Sequence, residues 1–144
     1  MNDKQSPPPL NLLASTPSEP VSPEQIYSLI GDDGLSRLIA AFYRQIPQDE
    51  ILAPMYPEAD WAGAERRLLA FLIFRFGGPP RYIEQRGHPR LRMRHAPFPI
   101  DQAARNRWVS LMERAIDQAA LPAPVDEALR AFFHDVATFL INRA

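Results

Sequence analysis

The chain has 144 residues, 46% hydrophobic and 23% charged, with 16 Lys and Arg against 17 Asp and Glu for a formal net charge of -1. That is one domain's worth of chain with room for one core, and a near-neutral balance gives no global field for nucleic acid or anionic lipid. With no cysteine there is no disulfide framework, thiolate nucleophile or thiolate-held metal, so any metal must be held by His, Asp, Glu, Tyr or a cofactor.

Residues 1–21 hold Pro7, Pro8, Pro9, Pro17 and Pro20 among serines and Thr16. Such a stretch has too little apolar surface to offset the entropy of ordering. It predicts a disordered Pro/Ser-rich extension ahead of a domain over residues 22–144. Leu10-Asn-Leu-Leu-Ala14 is too interrupted for a secretory signal, and no later run is apolar enough to span a bilayer. The expected location is the cytoplasm.

Prolines punctuate the remainder and are absent from residues 24–46, 58–78, 100–121 and 125–144. Each window predicts helix. Ser22-Pro23-Glu24-Gln25 is a helix start, with an N-cap serine, a proline at the first position and a capping-box glutamine. Gly31-Asp-Asp-Gly34 is expected to interrupt that helix. A second helix over Leu35–Ile46 aligns Leu35, Leu38, Ile39, Phe42 and Ile46 at spacings of three and four, and Pro47 closes it. A single turn over Gln48–Ala53 and an extended corner at Met55-Tyr56-Pro57 follow. Asp60 caps the next helix, on which Ala64, Leu68, Phe71 and Leu72 form a stripe. Gly77-Gly78-Pro79-Pro80 ends it.

Tyr82–Arg86 reads as a short turn, and Arg90–Arg94 as a short helical run closed by His95, because Pro97 and Pro99 forbid regular helix beyond it. Asp101 caps a helix to Ala119 whose Trp108, Leu111, Met112, Ala115 and Ile116 share a face. After Pro122 and Pro124, the last helix, Val125–Asn142, aligns Leu129, Phe132, Phe133, Val136, Phe139 and Leu140. His134 sits beside that face and is expected to be exposed. No period-two alternation appears, so the fold class is all-α.

The irregular region from Gly77 to Ile100 is too rich in aromatic and apolar residues to be a linker. Tyr43, Tyr56 and Trp108 lie on or beside apolar faces, and their polar hydrogens need partners when buried, either backbone carbonyls or a bound ligand. His95, held at the end of its short helix, could offer one ring nitrogen to a metal; a surface histidine before a proline turn is the plainer alternative. The four arginines of residues 86–94 lack the interleaved aromatics of a basic nucleic-acid helix, so no nucleic acid is expected.

Phe42-Tyr43, Met55-Tyr56-Pro57-Glu58, Ala62-Gly63-Ala64-Glu65, Phe76-Gly77-Gly78-Pro79, the run from Arg86 through His95 to Phe98, and Arg107-Trp108 form a recognisable set. Through them, residues 26–144 resemble the second group of truncated haemoglobins. The resemblance implies a globin-like two-over-two helical sandwich around haem b. The Leu35–Ile46 helix would pair with the Asp60–Phe76 helix, and the Asp101–Ala119 helix with the Val125–Asn142 helix. His95 would be the proximal iron ligand. Arg67, Leu68, Tyr82, Arg86, His88, Arg92 and Phe98 would contact the cofactor, some of them at its propionates. Tyr43, Tyr56, Ala64, Leu68 and Trp108 would face the ligand, with Leu68, Phe71, Leu72 and Leu111 as apolar walls.

An alanine at position 64 donates nothing, so hydrogen bonds to a ligand would come from Tyr43, Tyr56 and Trp108. Each well-aimed donor would stabilise bound dioxygen by about 1–3 kcal/mol. The implied function is tight binding of dioxygen, carbon monoxide and nitric oxide at a five-coordinate iron. A nitric oxide dioxygenase, a peroxidase-like enzyme or a gas-sensing module are the alternatives. Nitric oxide dioxygenase turnover would require a separate reductase, because no glycine-rich nucleotide fingerprint is present.

Overall fold

The structure, a computed structural model, describes residues 19–144; residues 1–18 of the extension expected over 1–21 lie outside them. The described residues form six α-helices and four short 3-10 turns, with no strand. Helix α1 (Ile26–Tyr43) is entered through the turn Pro23–Gln25, where Gln25 Oε1 accepts from the Ser22 N–H at 2.9 Å. Within α1 only Gly31 leaves the helical region, at φ 63° and ψ -172°. The interruption expected across Gly31–Gly34 is therefore a one-residue kink. Helix resumes at Asp32 rather than Leu35, since only the glycine takes up the left-handed backbone that side chains resist.

Helix α1 stops at Tyr43, short of the expected Ile46, and Pro47 sits inside a 3-10 turn over Ile46–Gln48. Proline is tolerated there because the first N–H groups of a turn have no internal partner. Further turns at Ala53–Met55 and Pro57–Ala59 flank Tyr56, whose φ of -100° and ψ of 108° make the extended corner.

Helix α2 (Trp61–Arg75) is capped by Asp60, which accepts from the Gly63 N–H at 2.9 Å. Its far end is a Schellman motif, with Gly78 N–H donating to Ile73 O at 2.7 Å and Gly77 N–H to Phe74 O at 3.3 Å. Gly77 has φ 94°, and a Cβ there would stand 2.2 Å from Glu24 O. The end of α2 is thus pressed against the start of α1, where the Tyr27 N–H donates to Phe76 O at 2.9 Å.

Short helices α3 (Arg81–Arg86) and α4 (Leu91–His95) fill the irregular region. Helix α5 (Gln102–Ala119) is capped by Asp101, which accepts from the Ala104 N–H at 2.8 Å. Helix α6 runs over Ala123–Phe139, earlier at both ends than the expected Val125–Asn142. Pro124 belongs to its first turn.

Helix α1 packs on α2 and crosses α5, and α5 packs on α6. These are the two expected pairs of a two-over-two sandwich. Leu35, Leu38, Phe42, Leu72, Met112, Ile116 and Leu129 are fully buried between them. Polar ties reinforce the crossing: Gln45 Nε2 donates to Leu111 O and Arg37 Nη1 to Ala119 O, each at 2.9 Å. No described helix is long and apolar enough to cross a membrane.

Candidate functional site

A cavity of about 440 Å³ opens inside the sandwich, and all six helices contribute to its wall. The loop between α1 and α2 supplies Leu52, Met55 and Tyr56. It is held by Asp49, 7% exposed, whose carboxylate accepts from the N–H groups of Ile51 (3.1 Å) and Leu52 (2.9 Å) and from Arg107 Nη1 of α5 (2.7 Å). Burial alone would raise this carboxyl's pKa. The Leu52 N–H and the Arg107 guanidinium outweigh it, so the group lies below the ordinary carboxylate range.

Tyr43 and Tyr56 meet edge to face at 5.9 Å between ring centroids, Phe42 is 5.1 Å from Tyr43, and Trp108 is 5.1 Å from Phe42. One aromatic cluster therefore carries Tyr43, Tyr56 and Trp108 to the cavity, beside Ala64 and Leu68 of α2. Burial, helped by the neighbouring Tyr56, pushes the Tyr43 phenol far above its usual value, and burial raises Tyr56 as well. Both hydroxyls stay protonated. The Trp108 indole N–H has no hydrogen-bond partner among the described residues.

His95 lies outside that cluster, on α4. Its Nδ1 is 2.8 Å from Leu91 O, and since a carbonyl only accepts, the proton sits on Nδ1. Nε2 makes no hydrogen bond among the described residues. Leu91, Arg94 and His95 all line the cavity, following the spacing of one helix face. The turn after His95 is clamped from the C-terminal segment. Asn142 Nδ2 donates to His95 O (3.2 Å) and Phe98 O (3.0 Å), and Asn142 Oδ1 accepts from the Ile100 N–H (2.9 Å).

The structure brings Tyr43, Tyr56, Ala64, Arg67, Leu68, Tyr82, Arg86, His95, Phe98 and Trp108 to one wall. It does not bring His88 or Arg92 there. His88 is exposed between α3 and α4, and the Arg92 guanidinium lies over the Phe139 ring, 5.3 Å from its centroid. Leu111, expected as a wall, is buried in the core away from the cavity. His134, expected to be exposed, is half-buried with Nε2 2.5 Å from Glu113 Oε2 and its backbone oxygen accepting from Arg105. Arg94 and Arg105 line the cavity, although the sequence reading passed over both. For Arg94 a signal existed, namely its place on one helix face with Leu91 and His95. For Asn142 there was none, because its partners are 42 to 47 residues away in the chain.

Comparison with known proteins decides the family. A family model described as bacterial-like globin matches residues 25–142. Group 2 truncated hemoglobin YjbI of Bacillus subtilis (strain 168) is 36% identical over 117 residues, which covers 81% of this chain and 88% of that protein. The chain belongs to the group II truncated haemoglobins. Among solved structures, the thermostable hemoglobin of the actinobacterium Thermobifida fusca is 42% identical with a TM-score of 0.79, covering 82% of this globin and 97% of that chain. The truncated oxygen-avid haemoglobin of Bacillus subtilis is 36% identical with a TM-score of 0.78, covering 82% and 99%.

Haem b is the cofactor of this family, and the cavity of this globin suits it. No group of three or more His, Asp or Glu side chains converges to hold a metal among the described residues. A metal bound at His95 must therefore bring its other ligands with it, as a porphyrin does. The walls are mainly apolar, Leu68, Phe71, Leu72, Phe133 and Val136 among them, and Arg67, Arg86 and Arg94 add positive charge to the lining.

Proposed function

We propose that this globin, working in the cytoplasm, holds dioxygen and other diatomic ligands tightly at a five-coordinate haem iron whose protein ligand is His95. Haem supplies the ferrous iron that binds the gas. The chain supplies the rest. The Nδ1–H to Leu91 O bond orients the imidazole and raises its basicity toward a metal at Nε2. Tyr43, Tyr56 and Trp108 hold their protons at the cavity wall, ready to donate to a polarised ligand, while Ala64 leaves the ligand its space. The apolar walls limit water and proton access.

The single observation carrying this reading is Trp108 at the cavity wall beside the protonated Tyr43 and Tyr56, its indole N–H without a hydrogen-bond partner among the described residues. The description of the Bacillus subtilis relative as oxygen-avid supports it. Trp108→Phe should speed dioxygen dissociation about tenfold, the worth of one hydrogen bond of about 1.4 kcal/mol to a partly charged acceptor, and leave carbon monoxide release nearly unchanged. Stopped-flow ligand replacement measures both. An unchanged dioxygen rate would remove Trp108 from the ligand's surroundings.

Retention of this kind suits a ligand that reacts where it is held. Oxidation of nitric oxide to nitrate by the bound gas is accordingly the second reading, favoured by the same three donors. It requires an electron donor that this chain does not contain.

A further inference from the structure

Helix α4 has two faces. Leu91, Arg94 and His95 point to the cavity, so Arg92 and Met93 stand on the opposite side, both exposed, Met93 at 59%. Phe139, at the end of α6, is 54% exposed beneath the Arg92 guanidinium. Of the three large hydrophobic side chains exposed among the described residues, one, Met93, thus adjoins Arg92 in the chain and another, Phe139, lies under its guanidinium. His88 and Arg90, exposed just before α4, extend the positive rim. Residues 86–95 hold four arginines and two histidines and no Asp or Glu. An apolar centre within a charged rim is the anatomy of a transient protein interface, whereas a merely solvated face has no reason to expose Met and Phe together.

We propose that the outer face of α4 docks an acidic one-electron donor protein, which reduces the haem iron from the side of His95. This rests on the reading that His95 holds the iron. The balance is one electron: the donor's centre is oxidised by one, ferric iron is reduced to ferrous, and no bond is made or broken. A helix with its side chains is about 10 Å across. A donor seated on Arg90, Arg92, Met93 and Phe139 is thus separated from the imidazole by the thickness of α4 alone. Opposite charge speeds the encounter and sets the orientation, and burial of Met93 and Phe139 holds the complex. An anionic membrane fits less well, because α4 spans only Leu91–His95 and is too short to lie in a lipid interface.

The test uses haem-loaded protein, with an acidic plant-type [2Fe–2S] ferredoxin as the probe. Calorimetric titration of the two oxidised proteins at about 20 mM and about 300 mM salt should show binding that is lost at the higher salt. Arg90→Glu with Met93→Ser should weaken it at least tenfold, and Arg90→Lys should retain it. Reduction of ferric protein by reduced ferredoxin should slow in parallel, while reduction by dithionite stays constant. A variant Soret spectrum matching the wild type shows the cofactor in place and separates this test from failure of the His95 reading. Absent binding at low salt, or binding indifferent to Arg90→Glu with Met93→Ser, would overturn the proposal. Charge-dependent capture by phosphatidylserine vesicles without ferredoxin binding would overturn it too, by assigning the face to lipid.

Discussion

His95 and His88 stand in one basic stretch, and the structure separates them by what each can reach. His95 lines the cavity with its Nδ1 proton committed to Leu91 O, whereas His88 is exposed and outside the wall. His95→Ala should abolish stable haem capture and His88→Ala should not, as read by the Soret band after reconstitution. Equal loss in both would undo the assignment. The same logic applies to the phenols. Tyr43→Phe removes a donor from an almost fully buried ring, so dioxygen should leave about tenfold faster while the fold is kept. That Tyr43, Tyr56, Ala64, His95 and Trp108 would meet at one cavity was legible in the sequence, because motif and apolar spacing coincide at those positions. His88 and Arg92 were not separable from Arg86, because all three share one basic stretch, in which Arg86 ends α3, His88 lies between two helices and Arg92 sits on the outer side of α4.

At the scale of elements, the helices were read from proline-free windows and apolar spacing, and the misplacements lie at helix ends and at the Gly31 kink. Pro47 and Pro124 each sit in a first turn rather than at a boundary, and Gly31 bends α1 instead of breaking it. What stayed hidden is how loops are fixed. Asn142 reaches across to bond the carbonyls of His95 and Phe98 and the N–H of Ile100, a pairing that no local pattern encodes. Asn142→Ala frees the turn that carries His95. Haem transfer to an acceptor apoglobin should then quicken about tenfold, the usual weight of a group that orients a metal ligand, with helical content unchanged.

Asp49 plays the corresponding part for the loop that carries Tyr56. Asp49→Ala strands the N–H of Leu52 and the Arg107 guanidinium, and should cost about 1–3 kcal/mol in denaturant unfolding. In the wild type the folded-state pKa lies below the unfolded value of about 3.9, so this contribution is full above about pH 4 and fades as pH falls through the folded-state value. The stability gap between wild type and Asp49→Asn should therefore narrow toward pH 3. A gap independent of pH would mean that the carboxylate's charge is not what holds the loop.

For the molecule as a whole, the sequence shows four apolar helix faces but not that they leave a space between them. Periodicity says which side of a helix is buried and is silent on whether the opposing sides touch. Here Leu72 and Phe133 reach the cavity as well as the core, so one set of apolar residues serves both. Without cofactor that wall has no partner atoms across about 440 Å³, and it forfeits the contacts that would offset the cost of ordering it. Haem binds the folded chain and not the unfolded one, so it should add about 4 kcal/mol when its free concentration is 1,000 times the dissociation constant, with a corresponding rise in unfolding temperature. His95→Ala should leave the unfolding temperature of the apoprotein close to that of the wild-type apoprotein, because the lost side chain is only partly buried. The increment on adding haem should shrink with the affinity. Thermal scans of both proteins, with and without haem, measure the two terms separately. An increment of the same size in both would show that the cavity holds the macrocycle by its walls alone, with the iron's bond to His95 adding nothing to the fold.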